Sequence, residues 1–449
     1  MQGANSKLWL GLGAGVALSL MGAVTTAQAA AYNLTAVDGI VTTPDGGQLY
    51  MWSFTDTGTF RYPGPTIQAV AGDTVTVSLT NSLPDTDGAG PNTPDPVSIV
   101  FAGQQNVEFS NDGGATFHPV TPAYSVPGSR DSLSSFVPEA APGQTVIYRF
   151  VATAPGTFQY YSGTQPQKHV DMGLVGGLVI RPGTPGMAYN ALGTDYDYEH
   201  LLLLTEVDPG QHERVQVGLP YQASAFKADY WFINGRSFPD TLAPDNASYL
   251  PAQPMGALIA MYPGERILLR LIDLGRKQHP MHHHGSNGTI VAINGRPLSS
   301  DGGVTADLAR DRYTPTPQPG ETIDSIYYWD APHQDMGWDV MGMDPTRPAP
   351  VTVLPNMDNP NAQLIYGELY SGSPYLGQQA ALPAAVQAVS LNMFGEHYVP
   401  FHSHHEFELQ NQGEGPGGML TFIMICSPNG PCGHATQPVA RLLTPPAVP

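Results

Sequence analysis

Positive charge is scarce in this chain. Its 449 residues include 18 Lys and Arg against 38 Asp and Glu, a formal charge of −20, and only 12% of residues are charged. A nucleic-acid binder needs a basic face to displace counterions from phosphates, so that class is excluded. There are only two cysteines, Cys426 and Cys432. Their spacing suits one small loop closed by oxidation, with a thiolate metal pair as the alternative. Hydrophobic periodicity of the helical kind is not sustained anywhere, which argues against a helical protein. Beyond the first thirty residues no apolar stretch is long enough to span a bilayer.

Turn residues are abundant, with 50 Gly and 44 Pro, and 41% of the chain is apolar. That balance predicts a turn-rich all-β protein and excludes disorder. The first residues read as an export leader of the Sec type, residues 1–29. Lys7 precedes an apolar region from Leu8 to Val24, and Ala27-Gln28-Ala29 supplies a small-x-small cleavage pattern. No twin-Arg pair precedes that region. The expected mature chain starts near Ala30, in the periplasm or outside the cell, with no membrane contact once the leader is removed. An uncleaved anchor is the competing reading.

The chain repeats itself. Gly72-Asp73 followed by Thr-Val-Thr-Val-Ser-Leu-Thr-Asn81 has the character of Gly264-Glu265 followed by Arg-Ile-Leu-Leu-Arg-Leu-Ile-Asp273. Pro142 to Phe150 matches Pro319 to Tyr327 in the same way. Both pairs read as a turn leading into a strand, repeated in the same order. Two β-sandwich domains follow, 30–185 and 186–449, joined by the Pro/Gly-rich segment Arg181 to Gly186. The surplus length of the second domain falls in an insertion near 344–388, with a short helix expected near Gln378 to Gln387.

Fourteen His are spread unevenly, with one run from His279 to His284 and another from His402 to His405. Side chains at i and i+2 of an extended strand share a face, so His282 can converge with His284, and His402 with His404. Four imidazoles without a thiolate, in an oxidising compartment, suit copper or zinc.

These residues resemble the multicopper oxidase family. The resemblance rests on Pro63-Gly64-Pro65-Thr66-Ile67 leading into Gly72-Asp73, on Trp231 to Gly235, on His279-Pro-Met-His-His-His-Gly285, and on Phe401-His-Ser-His404 running to Gly417-Gly418-Met419. The separation of the motifs resembles the two-domain laccase-like branch, related also to copper nitrite reductases. The resemblance implies two cupredoxin-like Greek-key domains, copper as cofactor and a homotrimer. It places His282, His284, His402 and His404 at ligands of a three-copper cluster, and His279 at a ligand of the mononuclear copper. The other positions depart from the pattern. Val100 and Ala102 replace one first-domain ligand pair, and Tyr161 and Gly163 replace the second. Ser403 stands at the Cys of the blue centre and Glu408 at its second His, while Met419 is a displaced candidate for the axial ligand. A serine hydroxyl cannot replace a thiolate in tuning a blue centre. What the sequence predicts is a reduced site for one or two coppers.

Further candidates surround this set. His405 and Glu406 are candidates for proton transfer, and His397 for supporting the metal ligands. His169 and Met172 resemble a vestige of a nitrite-reductase mononuclear site. The run His333 to Met343, with one His and three Met, is either a copper-collecting loop or Met packing beneath a loop. Tyr160 and Tyr161 are either redox-active or core aromatics. Three functions compete: a copper oxidoreductase of reduced nuclearity acting on a small molecule or metal ion, a non-catalytic protein that buffers or delivers copper, and a scaffold without metal.

Overall fold

Alternation along Thr74–Asn81 shows how the sheets are built. Val75, Val77, Leu79 and Asn81 point inward, while Thr74, Thr76, Ser78 and Thr80 lie at the half-exposed face, the two-residue period of a strand with one buried side. The computed structural model describes residues 29–84, 95–124, 133–262, 264–329 and 397–426.

Four main sheets form two sandwiches. The first sandwich pairs a six-stranded sheet with a four-stranded one. The larger runs in the order Gln48–Thr55, Ala29–Thr42, Thr74–Asn81, Thr145–Val151, Glu108–Ser110, His118–Pro119, and the smaller runs Ile67–Val70, Val175–Arg181, Gly156–Tyr161, Val100–Phe101. The second sandwich repeats this plan strand for strand. Its larger sheet runs Tyr230–Ile233, Tyr198–Val207, Arg266–Asp273, Thr322–Tyr328, Gly288–Ile293, Arg296–Pro297, with Arg310–Arg312 added beside Gly288–Ile293; its smaller sheet runs Ile259–Met261, Leu420–Ile425, His397–Ser403, Met281–His283. Even the parallel pairings coincide: Ala29–Thr42 with Thr74–Asn81, and Tyr198–Val207 with Arg266–Asp273. Both repeated segments read from the sequence therefore occupy equivalent slots.

A repeat that the strand motifs do not reveal lies in two loops. In Ser110–Thr116, Ser110 Oγ donates to Asp112, Gly114 N donates to Ser110 Oγ, and Thr116 donates to Asp112 through both N and Oγ1. Ser299, Asp301, Gly303 and Thr305 make the same set.

Each sandwich has its own core, with Trp52, Phe54, Tyr148 and Phe150 in the first and Trp231, Ile267, Leu269 and Trp329 in the second. A third apolar cluster, including Met51, Tyr62, Val175, Leu203, Phe232 and Ile272, joins the two. Beside it runs a buried polar seam. Arg270 donates to Glu199 Oε2 at 2.8 Å and to Thr157 Oγ1 at 2.8 Å, and Thr157 Oγ1 donates to Asp324 Oδ1 at 2.6 Å. Glu199 also pairs with Arg181. Burial alone would raise the Glu199 pKa, but the two guanidinium groups reverse this and bring it down to about 2.

Two short helices, Pro166–Met172 and Pro209–Gln216, interrupt the strands. They are too short for sequence periodicity to reveal. Among the described residues no helix is long and apolar enough to cross a membrane. Cys426 is buried and disulfide-bonded. Cys432, the expected leader up to Gln28, the expected 344–388 insertion with its helix, and His333 to Met343 lie outside the described residues.

Candidate metal centre

Two strands build the candidate site. Met281–His283 pairs antiparallel with His397–Ser403, setting His282 opposite His402 and Met281 opposite Ser403. Met281, His283 and Phe401 are buried in the sandwich, with the His283 ring stacked on Phe401 at 4.8 Å. Alternation then puts His282 and His402 on the other face. His284 and His404 differ from the expected in-strand placement, because each sits one residue past its strand. Hydrogen bonds from His284 N to Pro400 O and from His404 N to Pro280 O hold them there, so the pleat continues.

The four rings gather. His282 lies 4.9 Å from His284, 5.7 Å from His402 and 4.9 Å from His404, centroid to centroid. His284 is 5.2 Å and His404 5.6 Å from His402. Three rings are oriented through Nδ1. That of His282 is 2.7 Å from Thr314 Oγ1, that of His402 donates to Ser403 O at 2.8 Å, and that of His404 lies 3.2 Å from Glu406 Oε1. Partners of this kind fix ring orientation and leave Nε2 for a metal. Burial, reinforced by His402, His282 and His404, lowers the His284 pKa to about 4. Burial and the neighbouring rings also lower that of His282. Both rings are neutral at pH 7, with lone pairs available to an ion.

The donor set fits copper or zinc: imidazoles only, with no thiolate. Convergence is partial. Nε2 of His284 is 3.1 Å from Nε2 of His402, and two nitrogens each about 2.0–2.1 Å from one ion subtend an angle near 97° at that spacing. Among the described residues no group of three or more His, Cys, Asp or Glu stands at ligand spacing around one point. Metal capture by all four therefore requires the rings to adjust from these positions.

His279 is not part of this group. Fully buried, its Nδ1 lies 2.9 Å from Glu408 Oε2, which also accepts from Ser403 Oγ at 2.5 Å. His405 Nδ1 is 3.2 Å from Glu408 Oε1, so His405 faces this network, whereas Glu406 faces His404. Burial by itself would lower the His279 pKa, but Glu408, Asp273 and Glu206 overcome it and hold the imidazole above its ordinary value. Burial likewise opposes ionisation of Glu408, yet His279, Ser403 and His405 hold that carboxyl below its usual range. Met419, also buried, is tied by its backbone to Ser403 and Glu408. Hydrogen bonds among Ser403, Glu408 and His279 thus fill the place where the resemblance puts a blue copper.

The first sandwich shows the same register with different side chains. Val100 stands opposite Tyr161 as His282 stands opposite His402. A Cβ on Gly163 would come within 2.7 Å of Val100 Cγ2, so these positions are closed by packing. Tyr160 is a core residue whose hydroxyl donates to Pro65 O, and Tyr161 is half-buried beside it. Ser162 Oγ lies 2.8 Å from His169 Nδ1, whose Nε2 is 3.4 Å from Asp95 Oδ2, and Lys168 also pairs with Asp95. Both sandwiches therefore have a serine hydrogen-bonded network at the mononuclear position. Thr314, Asp95 and Glu206 escape sequence reasoning, because each reaches its site from a distant segment without a motif; Asp273 is close to His279 in sequence, but no motif marks it. His397 belongs to a strand whose pairing is described, at its start.

No family model matches the sequence. One stretch of 124 residues, 27% of the chain, is 33% identical to L-ascorbate oxidase of Cucurbita pepo var. melopepo, and spans only 17% of that protein. The structure superposes on a blue copper oxidase from Nitrosomonas europaea with a TM-score of 0.53 at 20% identity, covering 88% of this chain and 85% of that one. It superposes on a copper nitrite reductase from Nitrosomonas europaea with a TM-score of 0.51 at 15% identity, covering 93% and 100%. The resemblance read from the motifs holds at the level of fold: the chain is an all-β protein with the cupredoxin architecture of multicopper oxidases and copper nitrite reductases.

Proposed function

We propose that this chain is an exported copper-binding oxidoreductase with a reduced site of one or two coppers, held by His282, His284, His402 and His404, and with no blue centre. The observation that carries this reading is the contrast between four gathered imidazoles and the Ser403–Glu408–His279 network beside them. Copper, when bound, would supply one-electron redox chemistry. Thr314 and the Ser403 carbonyl hold the Nδ1 edges of His282 and His402, which would leave Nε2 of each for the ion. Glu406, exposed beside His404, can pass protons to and from solvent, and His405 can exchange them with Glu408. His404 is itself half-exposed, so a small molecule or metal ion reaches the site, which favours turnover over closed storage. Export and a homotrimer complete the proposal.

The test is copper content with optical and EPR spectra, for the wild type and His282→Ala/His404→Ala. One or two coppers per chain, no intense blue band and their loss in the double variant support the reading. Three or four coppers with a blue band would overturn it. Tight copper binding without oxidase turnover would leave buffering or delivery, and no copper would leave a scaffold.

A further inference from the structure

Ser403 stands between His402 and His404 and is fully buried, as is Glu408. All of its polar groups are engaged. The Ser403 carbonyl accepts from His402 Nδ1 at 2.8 Å, and its N–H donates to Met419 O at 3.0 Å. Its hydroxyl accepts from His405 N at 3.2 Å and donates to Glu408 Oε2 at 2.5 Å. The last distance is that of a hydrogen bond to an ionised acceptor, and it fixes the hydroxyl beneath the His405 N–H. Because His404 N donates to Pro280 O, both peptide N–H groups flanking the Cα of His404 are held.

Glu408 grips the same turn from its other end. Its N–H donates to His405 O at 2.8 Å, its carbonyl accepts from Met419 N at 3.0 Å, and its Oε1 lies 3.2 Å from His405 Nδ1. The single helical turn Glu406–Glu408 is anchored in this way. That turn also carries Glu406, whose carboxylate is 3.2 Å from His404 Nδ1. One buried side chain thus steadies the partner of each imidazole: the Ser403 carbonyl for His402 and the Glu406 carboxylate for His404.

The first sandwich supplies the contrast. Ser162 stands between Tyr161 and Gly163, and its Oγ lies 2.8 Å from His169 Nδ1 and 3.5 Å from Thr164 O. Among the described residues, a serine bonded to a carboxylate and to the N–H two residues on occurs at this position only where imidazoles flank it.

We infer that Ser403 and Glu408 are positioning residues, which hold the rings of His402 and His404 with Nδ1 bonded and Nε2 free for an ion. The inference rests on the copper reading and deepens it. In the resemblance these two positions are lost ligands; here they support two ligands of the neighbouring group. Partners of a ring's second nitrogen set its tautomer and its orientation.

The test uses the full chain with Ser403→Ala, which removes one oxygen, and with Glu408→Leu and Glu408→Gln, which differ in whether a carbonyl remains to accept the Ser403 hydroxyl. Two quantities are read: copper affinity by competition with a chelator, and the ring tautomers of His402 and His404 by 15N NMR of the copper-free chain. Ser403→Ala and Glu408→Leu should lower affinity at least about tenfold and mix the tautomers, while Glu408→Gln stays near wild type in both. Wild-type affinity and tautomers in Ser403→Ala would overturn the inference, and so would a loss of affinity or of Tm that leaves the tautomers unmoved. A wild type that takes up no copper would sink the copper reading, and the tautomers alone would then decide the positioning role.

Discussion

Ser403 Oγ donates to Glu408 Oε2 at 2.5 Å, and the same carboxylate oxygen is 2.9 Å from His279 Nδ1. A thiolate and a second imidazole at these two positions would leave three soft or borderline donors around one point. Oxygen atoms there instead satisfy one another and His279 Nδ1, so this side of the ring is closed without an ion.

Restoring those donors should restore the centre. Ser403→Cys alone leaves Glu408 in place, and we expect no blue colour from it. Ser403→Cys/Glu408→His, loaded with Cu(II), should develop an intense thiolate charge-transfer band, checked by visible absorption and EPR. A colourless double variant would show that the geometry around His279 has moved beyond repair by two substitutions.

Thr314 supports the four-imidazole group from 32 positions away along the chain, through its hydroxyl 2.7 Å from His282 Nδ1. Thr314→Val keeps the shape and removes the partner. Copper affinity, measured by competition with a chelator, should fall about 10–100-fold, with little change in Tm.

Acid should weaken the seam between the sandwiches through Glu199. Its pKa falls from an ordinary 4.5 to about 2 in the fold, so its contribution is fully present above pH 4.5 and is lost as pH drops toward 2. Glu199→Gln, which strands the buried Arg270 with Asp324, should cost about 3–5 kcal/mol near neutrality. Tm profiles should show the wild type losing stability between pH 4.5 and 2 more steeply than the variant.

Packing at the first-sandwich positions is testable by addition and relief. Gly163→Ala brings a methyl within 2.7 Å of Val100 Cγ2 and should destabilise by about 1–3 kcal/mol. Val100→Ala/Gly163→Ala should recover much of that loss in a denaturant titration. Equal stability of Gly163→Ala and wild type would mean that the segment shifts freely.

The sandwich plan was legible because strand alternation is local: Val75, Val77 and Leu79 state it within five residues. The four His were legible for the same reason, each pair being two residues apart. Their register was not, since nothing near His282 says that His402 will stand opposite it. Nor could sequence show that Glu408 would accept from Ser403, or that Arg270 would reach Thr157 and Asp324 in its seam, because these bonds join segments separated by folding. The helix Pro166–Met172 escaped through brevity. The loops Ser110–Thr116 and Ser299–Thr305 were readable as strings but lie between strands, where hydrophobic alternation carries no signal.

Those twin loops close with the same hydrogen bonds in sandwiches whose facing pairs are Val100 with Tyr161 in one and His282 with His402 in the other. Architecture and chemistry are thus separable in this chain. The molecule carries its own blank: one half with the fold and an apolar plug, the other with the fold and four imidazoles, so a graft of His onto positions 100, 102, 161 and 163 would ask how few changes turn a scaffold into a centre.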